Sequence, residues 1–296
     1  MLHDAIIVGG SFAGLAAATY IARARRSVAI IDAGLPRNRF AAHSHGFLAH
    51  DGSSPAQMLA TARQQVGAYP TVTFIAGTAT AVSGRSGAFA ARLAGGETIE
   101  GRKLVLAYGI CDILPELPGL RERWGASVIH CPYCHGYEFS DRRLGVLNMQ
   151  TRSPHQAQLI SEWGPTTFFL DGQPLDDEAR AALERRGVAL EPVPVRALHG
   201  AGTDLSAVEL EDGRMVPLDA FYIGAPTRHN STIAAELGCL MEESPAGPVV
   251  VVDGMKMTTV PGVYAAGDIT RAMHTVTFAA ADGVMAGVAV HAALAF

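Results

Sequence analysis

Residues 5 to 34 constrain the fold more than any other stretch of this chain. They open with AIIV, a short apolar run that reads as a buried parallel strand. GGSFAG (Gly9 to Gly14) follows, then the alanine-rich, helix-period run LAAATYIARA. VAIIDAG is a second strand, ending in Asp32. Strand, glycine turn, helix, strand and terminal acid make up the βαβ dinucleotide fingerprint. Gly9 permits the tight turn, and Gly14 lets helix and strand pack closely. The helix N-terminus offers free N–H groups to a pyrophosphate, and Asp32 can accept hydrogen bonds from a ribose. Ser11 stands where the middle glycine of G-x-G-x-x-G usually sits; it is small enough for close approach. Gly9, Ser11, Phe12, Ala13, Gly14 and Asp32 are therefore candidate cofactor-binding residues.

The C-terminal end offers a second piece. TTVPGVYAAGDIT (258–270) is an apolar strand ending in Gly267 and Asp268, and FAAADGVMAG (278–287) reads as a small-residue helix. An acid at a strand end beside a helix N-terminus suits hydroxyl groups and a flavin ring. A capping aspartate in an ordinary strand–turn–helix is the plainer alternative.

Bulk properties narrow the class. A length of 296 residues suits one large domain or two ordinary ones. With 49% hydrophobic residues there is enough material for a core, and 32 glycines are too many for an all-helical chain. The formal charge of −5 comes with no basic stripe, so nucleic acid is not an expected partner. Apolar runs such as AGLAAATYIA look too short to span a bilayer. MLHDAIIVGG enters a strand pattern at once, without the features of a signal peptide, so a cytoplasmic location is expected.

HCPYCHGYE (130–138) carries the chemistry. Cys-x-x-Cys-His marks c-type haem, and Cys-x-x-Cys alone marks a redox dithiol or half a zinc site. Haem attachment belongs outside the bacterial cytoplasm. Zinc needs about four ligands, and the other cysteines, Cys111 and Cys239, are isolated. A redox-active pair is the favoured reading, and no metal is expected. His43, His45 and His50 lie in one loop at spacings that do not make a metal motif. Cys111 and Cys239 read as small core residues.

Together, GGSFAG, AYGICDILPELPG (107–119), CPYC and GVYAAGD resemble the low-molecular-weight thioredoxin reductases and their flavoprotein relatives, over essentially the whole chain. CxxCHGYE, IIDAGLPRNRF (30–40) and HGFLAHDG (45–52) look most like the branch with dithiol oxidases of the gliotoxin and holomycin type and NADPH-independent reductase relatives. The resemblance implies an α/β protein of two Rossmann-like, three-layer ββα domains, the second inserted into the first. An FAD domain would comprise about 1–114 and 228–296, and an inserted domain carrying the CxxC about 115–227. It implies FAD, with further contacts from Arg37, Asn38, His50, Asp51, Gly109 and Thr275, besides Gly267 and Asp268. It also implies a homodimer. Independently, FAARLAGGETIEGRKLVLAYG and LSAVELEDGRMVPLDAFYIGA each read as a hairpin, an apolar strand and a small-residue stop. Two copies of one unit fit two related domains.

Departures from the reductases are informative. RLGVLNM (143–149) is the first strand of the inserted domain, and QTRSPHQAQLISEW follows with no glycine before Gly164. Gln150, Thr151 and Arg152 would keep a pyrophosphate from the backbone. Ser153 reads as N-cap, Pro154 as first helical residue and Gln156 as the partner in a capping box. TTFFLDG ends in Asp171, where the reductases carry a basic cluster for a 2′-phosphate. NADPH and NADH are both doubtful donors. Two routes fit. A small dithiol could reduce the CxxC and oxygen reoxidise the flavin. Alternatively, ferredoxin or a reduced flavin could feed the FAD, and the CxxC reduce a thioredoxin-like protein. An NAD(P)H-dependent thioredoxin reductase, or an FAD-binding sensor or scaffold with decayed activity, are the alternatives.

At the dithiol, Cys131 and Cys134 would alternate between thiol and disulfide. By resemblance Cys134 faces the flavin and Cys131 the substrate. His135 stands where the reductases place an aspartate, and an imidazole near neutrality suits proton transfer. Glu138 would orient it. His274, in RAMHTVTF, would stabilise a reduced flavin or relay a proton.

Overall fold

The structure, a computed structural model, describes residues 1–296. They form two compact units. The first comprises residues 1–39, 56–112 and 227–296; the second comprises 40–55 and 113–226.

The first unit starts with β1 (Leu2–Val8), α1 (Phe12–Arg23), β2 (Val28–Asp32), α2 (Pro55–Gly67) and β3 (Val72–Ala76). β4 (Ala79–Arg85), β5 (Ala88–Leu93), β6 (Thr98–Leu106) and β7 (Ile110–Asp112) follow. The sheet order is β3-β2-β1-β6-β5-β4. β1, β2 and β3 run parallel with the end of β6, and Ile6 registers on Leu104 on one side and Ala29 on the other. Alternate side chains of β1 enter different cores. Ala5 and Ile7 join α1, while Ile6 and Val8 join the opposite face. Burial on both faces explains why these strands are uninterrupted apolar runs rather than alternating ones.

The second unit holds β8 (Val128–Ile129), α3 (Pro132–His135), β9 (Leu144–Leu147), α4 (Ser153–Ile160), β10 (Thr166–Phe169) and α5 (Asp177–Arg185). β11 (Ala189–Glu191), β12 (Val195–His199), β13 (Ala207–Leu210), β14 (Met215–Pro217) and β15 (Ala220–Ile223) complete it. A parallel sheet in the order β11-β10-β9-β15-β8 lies between two other layers. On one face Val146, Phe168 and Tyr222 pack with Ala157 and Ile160 of α4 and Leu183 of α5. On the other, Leu147, Phe169 and Phe221 pack with Leu198, Val208 and Leu210 of the antiparallel sheet β12-β13-β14. This is the three-layer ββα arrangement.

The chain then returns to the first unit through β16 (Thr227–His229), α6 (Ile233–Glu236), β17 (Met241–Ser244), β18 (Gly247–Val250), β19 (Val263–Ala265) and α7 (Val276–Ala295). β16 pairs antiparallel with β7, and β19 pairs parallel with the end of β6. The two expected hairpins are present with one difference. In the first unit the second hairpin strand and the apolar strand are the single strand β6. In the second they separate into β14 and β15, because Pro217 has no N–H to continue the ladder and Asp219 turns away to bind Arg143.

α7 corrects one expectation. It has 20 residues and is long and apolar enough to cross a membrane by length and composition. One face of it packs closely on α1. A Cβ on Gly283 would run into the Ala13 carbonyl of α1, and one on Gly287 into that of Ala17. Asp282, between them, is buried and bound by Lys256 and Arg271.

Candidate functional site

The dinucleotide end of the first unit is built around the Gly9–Gly14 turn. Gly9 has φ +108° and a Cβ there would strike the Ala107 carbonyl; a Cβ on Gly14 would strike the Gly9 carbonyl. Both positions therefore require glycine. Ser11 is the N-cap of α1 but its side chain makes no capping bond. The first turn of a 12-residue helix thus keeps N–H groups for a ligand, beside Phe12 and Ala13. Asp32 holds the turn from β2: its Oδ1 accepts the Gly10 N–H at 3.0 Å, and its other oxygen pairs with Arg63. No pattern in the sequence around Arg63 signals that role.

A second group lies at the same end of the sheet, where β1, β6 and β19 finish together. Arg37 makes a two-point ion pair with Asp112, at 2.9 and 2.5 Å, and its guanidinium is 4.0 Å from Asp268. Burial works against the Arg37 charge, but Asp112 and Asp268 outweigh it and raise its pKa. Burial raises the Asp268 carboxyl above the usual range, against the pull of Arg37. His274 Nδ1 lies 3.0 Å from Arg37 Nη1, and its Nε2 lies 3.0 Å from the Arg271 carbonyl. A guanidinium only donates and a carbonyl only accepts. Nδ1 must therefore be the acceptor and Nε2 must carry the hydrogen. The ring is neutral with both nitrogens engaged, in keeping with burial lowering its pKa. His274, expected as a flavin stabiliser or proton carrier, here bridges Arg37 and the Arg271 carbonyl. Asn38 shares the 3-10 turn of Arg37, and Gly109 adopts φ +67° between β6 and β7. Thr275 caps α7, its hydroxyl accepting the Phe278 N–H at 3.0 Å.

The second unit carries the sulfur chemistry. Cys131 and Cys134 form a disulfide with Cα atoms 5.3 Å apart. Cys131 is the N-cap of α3, and its sulfur accepts the Cys134 N–H at 3.1 Å. That donor would stabilise a thiolate on Cys131. A Cβ on Gly136 would come within 3.0 Å of the Trp163 indole, so glycine is needed for that ring to pack under the helix. Tyr133 meets Trp163 edge-on at 5.7 Å, and Tyr133 and Tyr137 are exposed beside the disulfide. Burial lowers the His135 pKa, with Glu138 opposing and His45 reinforcing the shift. The imidazole is thus kept in its neutral, proton-accepting form near pH 7.

The 40–55 loop belongs to this unit. His50 stacks on Phe47 at 5.5 Å, and Asp51 accepts the Gly46 N–H. Both are expected at the cofactor, and both fall in the unit that carries the disulfide. His43, His45 and His50 do not converge; His43 is engaged by the Gly52 carbonyl. His45 is the residue that sequence reasoning left without a role. Its Nε2 is 3.4 Å from Glu138. Cys239 is buried, as expected of a core residue, and Cys111 half-buried.

The loop after β9 differs from the expected capping box. α4 begins at Ser153, and the Ser153 hydroxyl reaches back to accept the N–H groups of Met149 and Gln150, at 3.1 and 3.0 Å. Gln156 donates not to its helix but to the His130 carbonyl, 2.9 Å away. Gln150 donates to Gly224 at 2.6 Å, and Asp171 accepts the Val195 N–H at 2.8 Å.

A family model for pyridine nucleotide-disulphide oxidoreductases matches residues 3–147 and 166–283. The chain belongs to that family. It is 32% identical to thioredoxin reductase tcpT of Claviceps purpurea, over 96% of this chain and 92% of that protein. Among solved structures, it is similar to an oxidoreductase from Agrobacterium tumefaciens, with 42% identity, a TM-score of 0.95, and coverage of 100% and 99% of the two chains. The structure of HlmI is also similar, with 36% identity, a TM-score of 0.94, and coverage of 99% and 93%. The protein is an FAD-type, thioredoxin reductase-like disulfide oxidoreductase. The glycine turn without side-chain obstruction and the uncapped α1 terminus fit a dinucleotide such as FAD. Gly9, Ser11, Gly14, Asp32 and the Arg37–Asp268 group are the residues that would hold it.

Proposed function

We propose that this oxidoreductase works on a dithiol–disulfide couple through Cys131 and Cys134 without NADPH or NADH as electron donor. The observation that carries the reading is the loop after β9. In a nucleotide cradle the N–H groups after the first strand face the phosphates. Here the Met149 and Gln150 N–H groups are taken by Ser153, and the Asp171 carboxylate is taken by Val195. A nucleotide would have to break those bonds to bind. It would also meet Gln150 in the space that glycine usually leaves open.

Bound FAD supplies the two-electron partner of the cysteine pair. The chain's own residues do the rest. Cys131, with the Cys134 N–H on its sulfur, suits the role of the sulfur that leaves or attacks as thiolate. His135, held neutral by burial, takes the proton of an incoming thiol. Exposed Tyr133 and Tyr137 give an aromatic rim to a small dithiol. In this reading the substrate is a small dithiol and oxygen is the final acceptor. A second direction, reduction of a thioredoxin-like protein with electrons from ferredoxin or another flavin, is favoured by the names of relatives such as thioredoxin reductase tcpT.

The test is anaerobic visible spectroscopy of the flavoprotein with dithiothreitol, NADPH and NADH in separate titrations. The expected result is rapid bleaching by the dithiol and none by either nicotinamide. Rapid bleaching by NADPH or NADH would overturn the nicotinamide-independent reading. If dithiothreitol leaves the flavin oxidised, the cysteine pair does not pass electrons to it, and a sensor or scaffold role gains ground.

A further inference from the structure

Thiol–disulfide exchange at one cysteine pair must clear more than one proton. A substrate dithiol gives up its first thiol proton, its sulfur bonds to one cysteine, and the Cys131–Cys134 bond breaks to leave the other cysteine as thiolate. The second substrate thiol then loses its proton, closes the substrate disulfide and releases the second cysteine thiolate. Two electrons pass to the cysteine pair, and two protons leave the substrate thiols. One imidazole holds one transferred proton at a time. His135 therefore has to be discharged within each exchange, and it is partly buried.

The loop at 40–55 supplies a route. The His45 ring meets His135 edge-on, with centroids 6.5 Å apart. Its Nε2 is 3.4 Å from Glu138 Oε1, and its Nδ1 is 3.5 Å from Asp51 Oδ1. Glu138 acts electrostatically on His135 as well, so both imidazoles feel the same carboxylate. Side-chain exposure is 39% for Glu138 and 22% for His45, and reaches 73% at Asp51, where the series meets solvent. The loop is not loose. Ser44 and Ser53 form a bridge, Gly52 donates to Ser44 at 2.9 Å, and Asp51 accepts from Gly46 at 2.8 Å. The other titratable groups facing this series are His43, 6.4 Å from His45 between ring centroids, and the buried Tyr222 of β15, which feels Glu138.

We propose that His45 is a positioning residue for the disulfide chemistry: with Glu138 it passes protons between His135 and solvent at Asp51. The inference rests on the reading of His135 as the thiol base given above, and it names a residue outside the CxxCH segment. A tether that only held the loop against α3 would have no need for a carboxylate on each nitrogen of one ring.

The experiment measures how fast dithiothreitol reduces Cys131–Cys134 in the full-length flavoprotein, by quenching with an alkylating agent and counting modified cysteines by mass. It follows the sulfur step whether or not electrons go further. Wild type, His45→Gln, Glu138→Gln and the double variant are compared between pH 5 and 9, with flavin content and thermal midpoint checked for each. General acid–base catalysis contributes about 10²–10⁴-fold, so loss of a residue one step removed should slow reduction by about tenfold at and below neutral pH. The limb of the pH profile set by His135 should move, small buffer bases such as imidazole should restore much of the rate, and the double variant should be no slower than the worse single one. Rates within twofold of wild type, or a uniform slowing with an unchanged profile and no buffer rescue, would overturn the relay. If His45→Gln folds poorly, Glu138→Gln alone decides by the same profile and rescue. Failure of wild-type flavin to bleach with dithiothreitol would count against the proposed function and leave this comparison intact.

Discussion

Asp282 is a carboxylate in the middle of an apolar helix, with its side chain 3% exposed. Lys256 Nζ lies 2.6 Å away, Arg271 donates at 2.9 and 2.5 Å, and the Thr270 hydroxyl donates at 3.2 Å. The Asp282→Ala change leaves Lys256 and Arg271, at 15% and 26% exposed, as unpaired cations. Breaking a buried pair in this way costs about 3–5 kcal/mol. At roughly 2–4 °C per kcal/mol for a chain of this order, the thermal midpoint should fall by about 6–20 °C. Burial pushes the Asp282 carboxyl up, but Arg271 and Lys256 more than offset it and hold its pKa below the ordinary value. A carboxyl with a depressed folded pKa stabilises fully above its unfolded pKa, about 3.9, and loses that contribution as pH falls toward the folded value. The gap between wild type and variant should therefore be full at neutral pH and narrow below about pH 4. Far-UV circular dichroism with bound-flavin fluorescence reads both unfolding and cofactor release. A triple variant, Asp282→Leu with Lys256→Met and Arg271→Met, should recover most of the loss, because it removes all the charges together. A single variant within about 1 kcal/mol of wild type, or a gap that does not narrow in acid, would refute the reasoning.

Gly283→Ala should destabilise the first unit by about 1–3 kcal/mol, because its Cβ would meet the Ala13 carbonyl rather than a side chain that can turn aside. Flavin should then leave the protein on gel filtration, and a variant that retains flavin with an unchanged midpoint would sink the packing argument. Ser153→Ala strips the acceptor from the Met149 and Gln150 N–H groups and should cost about 1–3 kcal/mol by urea unfolding. It should leave flavin content unchanged; a fully neutral outcome would mean that water replaces the hydroxyl and that the loop is less closed than its bonds imply. For His135, burial lowers the pKa, so the base stays neutral near pH 7. Dithiol reduction should lose rate only as pH falls below about 6.5, which stopped-flow spectroscopy at stepped pH would check.

Where local chemistry was self-sufficient, the sequence could be read directly. The βαβ turn was legible because Gly9, Gly14 and Asp32 do their work within one supersecondary unit, and periodicity marks the strand, helix and strand around them. The disulfide was legible because two cysteines three apart are bound to meet at the start of a helical turn. The hairpins at Gly95–Gly96 and Asp212–Gly213 were legible for the same local reason. The capping box was misread because Ser153 has two sets of N–H groups in reach, and the preceding loop claimed its hydroxyl. Gln156 was likewise drawn to His130, a partner 26 residues away.

Everything that depends on chain segments far apart in sequence was decided by the tertiary structure. Arg37 finds Asp112 across 75 residues and His274 across 237, and Arg37 with the Arg271 carbonyl fixes the His274 tautomer. Arg63 reaches Asp32 across 31 residues. His45, one of three loop histidines that look alike in sequence, is distinguished by the Glu138 and Asp51 carboxylates at its two nitrogens and by the His135 ring beside it. The sequence determines the local conformational options and the side-chain chemistry at each position. Which charged groups face each other, and how deeply each is buried, depends on the packing of elements that bring distant residues together, and it is burial and facing charge that set what a titratable side chain can do.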